Sequence, residues 1–363
     1  MMKPIIGMLV SLGISAIAAA QQRAPELKMV ATATERNWNG IAVSNYKRIF
    51  ADFPLWEKGK NPSLVELKDG KEVVFPGNEW NNWQPGKDPK KSFVSLNSLY
   101  INRDDNHLWV TDAGEAFGKD RVSGAPKLVE IDLSNNQVVN VFLIGDKYAP
   151  TGSHLNDIRI LGDDVFVTES GTGAILVLNR KTGEIRRLLA KSTLTKAAPK
   201  AQPVIDGFRL QGKDGKTPVI NVDQIELSVD GKILFFMSPF GPNLYKVAVK
   251  DLLDTKLSDE ELEKRILVDR KVNPVGGIIM DGEDNLYLSE IETSAIRCES
   301  KDGSTKWLLQ DPRLVWPDAY SITPDGTFYL VVAQISNMPF MRKGKDLRHP
   351  PYYIFSFNPI SDN

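Results

Sequence analysis

Cysteine and histidine are scarce in this 363-residue chain, which has one cysteine, Cys298, and three histidines. A single cysteine excludes an intrachain disulfide and any metal site built from several thiolates. So few histidines also argue against a histidine-rich zinc site. Cys298 lies in the alternating segment Ala295–Glu299, a pattern that is typical of a strand rather than of a catalytic nucleophile.

An excess of one charge is also missing, because 45 lysines and arginines face 46 aspartates and glutamates. Nucleic-acid binding needs a concentrated basic patch, so we expect no nucleic-acid partner. The chain has no phosphate-binding glycine-rich loop, no Gly-x-Ser-x-Gly and no His-Glu-x-x-His. Nucleophilic serine catalysis therefore has no support in the sequence.

Long apolar runs are absent except at the N-terminus. Residues 5–19 are almost wholly apolar, follow the basic Lys3, and are followed by small residues that end at Ala20. This pattern predicts a signal peptide over residues 1–20, cleaved after Ala20, because the run is shorter than the roughly 20 residues that a retained membrane anchor needs. We expect a periplasmic or secreted protein, without a membrane anchor, whose residues 21–363 form one domain.

What the chain does contain is a repeat. Six segments begin with a small or polar residue and continue as a short apolar strand; they start at Asn39, Asn97, Asn156, Asp223, Gly276 and Asp318. Each is followed by a turn and by further short apolar strands, and several turns carry Asp-Gly or Asn/Asp clusters that favour hairpins. Units of four antiparallel strands at this period predict an all-β, six-bladed β-propeller.

The two ends of the chain suggest how the ring closes. The sixth unit lacks a fourth strand, and the segment Leu27–Ala33 precedes the first unit without a blade of its own. We predict that this segment pairs with Tyr353–Phe357 and closes the ring. The alternative, two stacked β-sandwiches, leaves the six-fold register unexplained. Closure removes exposed sheet edges, and we expect a monomer.

The first strand of each blade lines the channel of a propeller, so the six starting residues should form a ring at one mouth. Five of the six carry a side-chain oxygen, and we expect Asn39, Asn97, Asn156, Asp223 and Asp318 to bind a ligand there. Converging oxygens suit calcium or magnesium, with Asn156, Asp223 and Asp318 as the candidate metal ligands. The alternative is that these residues cap strand ends and bind channel water.

Aromatic residues accompany this ring. Phe240, Trp316 and Tyr320 are candidates for the walls of a small-molecule pocket, although blade-to-blade packing is an alternative role for each. His154 and Asp157 are the candidates for catalysis, with His154 as a general base; a structural role is the alternative.

Several motifs carry a family resemblance. The segments Leu108–Gly114, Asn285–Glu292, Trp316–Asp318 and Gln334–Pro339 resemble bacterial members of the yellow/major royal jelly protein family. The resemblance implies a secreted six-bladed propeller. The family includes nutritive proteins, binders of aromatic amines and proteins tied to catechol pigments, which implies a small aromatic amine or phenolic ligand.

A more distant resemblance is to calcium-dependent lactonases of the gluconolactonase type, which place metal ligands at the starts of inner strands. Asn156 and Asp223 match two such positions in type, whereas Gly276 stands where that family has an aspartate, and Asp318 would have to compensate. This resemblance implies a calcium-dependent hydrolase as the alternative function. A protein-interaction scaffold is a third possibility if the insertion 191–222 plugs the channel.

Overall fold

The computed structural model describes residues 25–56, 63–116 and 121–359. The predicted signal peptide, residues 1–20, lies outside these ranges, so its assignment stays a prediction. Within the described ranges no helix is both long and apolar enough to cross a lipid bilayer.

Six four-stranded antiparallel sheets form the blades, with strands numbered along the chain. Blade 1 contains β2 (Ile41–Val43), β3 (Ile49–Asp52), β4 (Leu64–Lys68) and β5 (Lys71–Val74). Blade 2 contains β6 (Leu96–Asn102), β7 (His107–Asp112), β8 (Lys127–Asp132) and β9 (Gln137–Leu143). Blade 3 contains β10 (Leu155–Leu161), β11 (Asp164–Glu169), β12 (Ala174–Asn179) and β13 (Ile185–Leu188).

The other three blades follow the same order from the inside outwards. Blade 4 contains β16 (Gln224–Leu227), β17 (Ile233–Met237), β18 (Asn243–Ala248) and β19 (Leu267–Lys271). Blade 5 contains β20 (Val275–Met280), β21 (Leu286–Glu290), β22 (Ala295–Glu299) and β23 (Thr305–Gln310). Blade 6 contains β24 (Pro317–Ile322), β25 (Phe328–Val332), β26 (Tyr352–Phe357) and β1 (Lys28–Ala33).

Little other regular structure is present in the described ranges. The insertion 191–222 carries the hairpin β14 (Val204–Ile205) and β15 (Phe208–Arg209). Two one-turn helices, α1 (Val249–Leu253) and α2 (Asp259–Glu263), follow β18. Short 3-10 helices cover Pro89–Lys91, Thr193–Thr195 and Ile335–Asn337.

The predicted closure of the ring is confirmed. Strand β1 pairs antiparallel with β26, with Lys28 opposite Ser356 and Ala33 opposite Tyr352. Blade 6 is therefore built from both ends of the described chain, which joins the first and last units in one sheet.

The core lies between neighbouring blades. Between blades 5 and 6, the rings of Tyr287 and Phe328 pack with their centroids 4.3 Å apart, and Phe328 stacks on Phe357 at 4.9 Å. Cys298 belongs to the same buried cluster, and burial raises the pKa of its thiol to about 11. Cys298 is thus a core residue, which agrees with its strand-like context.

Candidate functional site

The six inner strands surround a channel cavity of about 260 Å³. Asn97, Asn156, Asp157, Asp223 and Asp318 line it where the strands begin, and Arg103 lies where they end. Among the described residues that line the cavity, none comes from the insertion 191–222. The insertion therefore does not fill this part of the channel.

The predicted ring residues occupy different surroundings. Asp223, Asp318 and Tyr320 face the cavity, whereas Asn39 is absent from its lining and donates from Nδ2 to the backbone oxygen of Asn97 at 2.6 Å. The hydroxyl of Tyr320 forms a short hydrogen bond with Ser289 Oγ.

Phe240 and Trp316, which the sequence suggested as pocket walls, pack in the core instead. Their rings meet edge-on, with centroids 6.2 Å apart, in a buried apolar cluster with Leu210 and Met341. Neither ring is among those that line the channel cavity. Trp316 nevertheless reaches the site, because its side chain forms a hydrogen bond with the carboxylate of Asp318.

The asparagines on one side of the mouth bind one another. Asn97 Nδ2 donates to Asn156 Oδ1 at 2.8 Å, and Asn156 Nδ2 donates to Ser170 Oγ at 3.0 Å. Asn156 also forms a hydrogen bond with the Asp223 carboxylate, which partly opposes the rise that burial causes in the pKa of Asp223. The amide oxygens of Asn97 and Asn156 are thereby turned towards neighbouring side chains.

His154 has acceptors at both ring nitrogens. Its Nδ1 lies 3.0 Å from Glu115 Oε2, and its Nε2 lies 3.0 Å from Asn97 Oδ1. Asn97 presents oxygen here because its amide nitrogen donates to Asn156. Burial opposes the protonation of His154, but the hydrogen bond and charge of Glu115, with the charges of Asp223 and Glu169, raise its pKa. A ring that donates from both nitrogens has no lone pair for general-base catalysis.

Three carboxylates share the channel. Burial raises the pKa of Asp223 to about 7, helped by the charge of Asp157 and opposed by His154 and Asn156. Burial, together with the charges of Asp223 and Asp157, raises the pKa of Asp318 well above its usual range. Asp157 is 26% exposed because it faces the cavity, yet burial within the ring still raises its pKa. These groups favour a positive charge in the channel.

The next layer of the channel contains residues that sequence reasoning missed. Arg159 donates from Nε and Nη2 to the carboxylate of Glu226, at 2.9 and 3.2 Å, and its Nη1 lies 3.3 Å from Asp157 Oδ2. Its guanidinium also lies 5.5 Å from the ring centroid of Tyr100. A signal existed: Tyr100, Arg159 and Glu226 each stand three positions after the start of their repeat. Arg159 is thus engaged by Glu226 and Asp157.

Two glycines explain why blade 5 contributes no side chain to the ring. A Cβ on Gly276 would lie 2.2 Å from the backbone oxygen of Pro317, and one on Gly277 would lie 1.8 Å from that of Asp318. Only glycine permits this close approach of β20 and β24. An aspartate at position 276 is therefore excluded sterically, and the neighbouring carboxylate is that of Asp318.

Asp112, at the end of the second strand of blade 2, has a different role. Asp112 accepts hydrogen bonds from the backbone nitrogens of Val94 and Ser95, at 2.8 and 2.9 Å, and from Lys127 Nζ at 2.5 Å. The side chains of Asp112 and Lys127 are both fully buried. These contacts fasten the loop that leads into β6 to the outer part of blade 2.

The channel fits a calcium ion only in part. Asp223 and Asp318 are hard oxygen ligands of the kind that calcium prefers. The third predicted ligand, Asn156, uses its Oδ1 to accept a hydrogen bond from Asn97 and is not presented to the same ion.

A separate cluster on blade 2 has closely spaced ligand atoms. Among the described His, Cys, Asp and Glu residues, Asp105, His107 and Glu130 bring such atoms within 4.8 Å of one another. Arg180 already supplies positive charge there, with Nη1 2.7 Å from Asp105 and 3.4 Å from Glu130. This cluster is an ion-pair network at the β6–β7 turn and on β7 and β8, and none of its residues lines the channel cavity.

Comparisons with known proteins agree with this architecture. The family profile described as "Major royal jelly protein" matches residues 94–340. A search of curated proteins finds no match.

Solved structures of similar shape include three propellers. The calcium-binding protein regucalcin from Agrobacterium tumefaciens is 12% identical, with a TM-score of 0.53 over 92% of this chain and 96% of that one. A luciferin-regenerating enzyme is 8% identical, with a TM-score of 0.55 over 93% and 96%. A gluconolactonase from Xanthomonas campestris is 11% identical, with a TM-score of 0.53 over 92% and 90%. At these identities the likeness shows the fold alone.

Proposed function

Because the chain belongs to the major royal jelly protein family, we propose that it binds a small aromatic amine whose ammonium group enters the central channel. The observation that carries the proposal is the pair Asp223 and Asp318. Both carboxylates face one cavity, and burial together with neighbouring carboxylates disfavours their charged forms.

An ammonium group matches this surface better than a neutral hydroxyl does. It brings three hydrogen-bond donors and the positive charge that two buried carboxylates lack. Arg159 supplies little of that charge to them, because it is bound by Glu226 and Asp157. A phenolic ligand without an amine brings no positive charge, so it would do nothing to favour the ionised forms of Asp223 and Asp318.

The size of the cavity limits what can enter. At about 260 Å³ it is slightly smaller than the pockets of roughly 300–1,000 Å³ that hold drug-sized ligands. We expect the ethylammonium side chain of an aromatic amine to enter this space while the aromatic ring remains towards the mouth. A cavity of this size therefore supports compact aromatic amines, such as tryptamine or dopamine, as the ligand class.

Matched ligand pairs test the proposal directly. We expect calorimetric titration to show binding of tryptamine and much weaker binding of indole-3-ethanol, in which a hydroxyl replaces the ammonium. Asp318→Asn should abolish this preference. Asp325→Asn is the control, because Asp325 lies in blade 6 too but pairs with Lys47 on the surface. Equal affinity for both ligands, or no binding of either, would refute the proposal.

A calcium-dependent lactonase is the second candidate, favoured by the same carboxylates as hard oxygen ligands. This candidate predicts that the protein hydrolyses simple lactones only with calcium, and that Asp223→Ala abolishes the activity. Elemental analysis of protein purified without chelator, combined with that assay, separates it from amine binding. Turnover that survives chelation would not support this candidate.

A further inference from the structure

The outer strand of blade 2 differs from the other five outer strands. It is the seven-residue β9, with the sequence Gln-Val-Val-Asn-Val-Phe-Leu, and it has no charged residue. Each of the other five described outer strands carries a charge and is shorter, from four to six residues; they are β1, β5, β13, β19 and β23.

Exposed outer edges of sheets are normally protected by charge, by shortness or by irregularity. On β9, Val139, Val141 and Leu143 are exposed, whereas Phe142 stacks on Trp109 inside the propeller with centroids 5.7 Å apart. The apolar residues that face solvent thus lie along an unpaired backbone edge, where another strand can add to the sheet.

We propose that β9 pairs antiparallel with β9 of a second copy of this chain, which joins two blades into an eight-stranded sheet. In an antiparallel two-fold pair the residue on the axis lies opposite its own symmetry mate, so a charge at or beside the axis would oppose a like charge. β9 is the one described outer strand that has no charged residue to place there. Each blade 2 has one free edge, so the pairing closes at two copies.

The position of the two-fold axis follows from the exposed residues. An axis at Val141 places Val139 opposite Leu143 of the second copy and Val141 opposite itself. The pairing of β9 with β8 is irregular between Val138 and Asn140, so Val139 lies in a bulge and Asn140–Leu143 is the regular stretch that contains the axis. The interface therefore replaces the monomer expected from ring closure alone with a dimer.

Light scattering during size-exclusion chromatography of the mature chain tests the proposal. We expect a dimer mass for the wild type and a monomer mass for Val141→Lys, because the substitution opposes two lysines at the axis. Val73→Lys is the matched control: Val73 is equally exposed on the outer strand β5, and this variant should remain dimeric. Circular dichroism melts confirm that both variants are folded.

A wild type that stays monomeric, or a Val141→Lys variant that stays dimeric, would overturn the proposal. The register has its own test in Val141→Cys, which should form an intermolecular disulfide under oxidation because the two sulfurs meet at the axis. Native Cys298 is only 1% exposed and does not compete. Cross-linking of Val73→Cys to the same extent would contradict the β9 interface.

Discussion

Two groups of buried carboxylates stand at the same end of this propeller and behave in opposite ways. Glu169, at the end of a second strand, accepts hydrogen bonds from the backbone nitrogens of His154 and Thr172, at 3.0 and 2.8 Å, and from Arg187 at 2.8 Å. Burial alone would raise its pKa, yet these bonds and the Thr172 hydroxyl hold the pKa below its usual range. Asp223 and Asp318, which line the channel cavity and are termed the axial carboxylates, have raised pKa values.

The difference shows how to tell a structural acid from a binding acid within one fold. Asp112 and Glu169 already accept hydrogen bonds from this chain at both carboxylate oxygens, so a ligand could add little to them. The axial carboxylates repel one another and face open space, so a cation from outside would stabilise them.

The largest effect is expected at the fully buried pair of Asp112 and Lys127. Asp112→Ala leaves the Lys127 ammonium buried without its carboxylate and should lower the free energy of unfolding by about 3–5 kcal/mol. Urea denaturation measures this loss. Removing both charges with Asp112→Asn and Lys127→Met together should recover part of it, and a loss below about 1 kcal/mol in Asp112→Ala would contradict the structural role.

Removing the charge of an axial carboxylate should stabilise the folded protein at neutral and higher pH, whereas removing that of Asp112 should destabilise it. Asp223 and Asp318 hold protons more tightly in the folded chain than in the unfolded chain, where an aspartate titrates near 3.9. Stability should therefore fall as the pH rises from about 4, through about 7 for Asp223, by at most about 1.4 kcal/mol per pH unit and group.

Asp223→Asn and Asp318→Asn remove that dependence. Without ligand, each variant should match or exceed the wild type in thermal stability at pH 8 and lose this advantage near pH 4. Melting curves at both pH values decide the matter. If the Asp223→Asn and Asp318→Asn variants were less stable than the wild type at pH 8, these carboxylates would have a structural role like that of Asp112.

Most of the fold could be predicted from the sequence, but the difference between the structural and the axial carboxylates could not. Alternating apolar strands and Asp-Gly turns recur along the chain, so the ring and even the pairing of β1 with β26 could be predicted. The roles of the acids could not be predicted, because the partners of Asp112, which are Lys127 Nζ and the backbone nitrogens of the loop before β6, come together only on folding. The orientation of His154 likewise depends on Glu115, 39 positions earlier in the chain.

The smallest effect is expected at the mouth, where Glu115 and His154 are 29% and 26% exposed. Glu115→Gln should lower stability by roughly 0.5–1 kcal/mol, as is typical of partly solvated pairs. The raised pKa of His154 means that the pair contributes fully below about 6.5 and loses its contribution as the pH rises through the folded pKa. Melts at pH 5 and pH 9 should show the loss at pH 5 only, and Glu260→Gln on exposed α2 should show it at neither.

The central claim is that a cationic ligand binds at Asp223 and Asp318. Calorimetric titration of tryptamine at pH 7, in two buffers with different heats of ionisation, measures the protons exchanged on binding. The account predicts net proton release, because the ammonium favours the ionised forms of Asp223 and Asp318 over the protonated forms that burial favours. Binding with the same heat in both buffers, or with proton uptake, would contradict it.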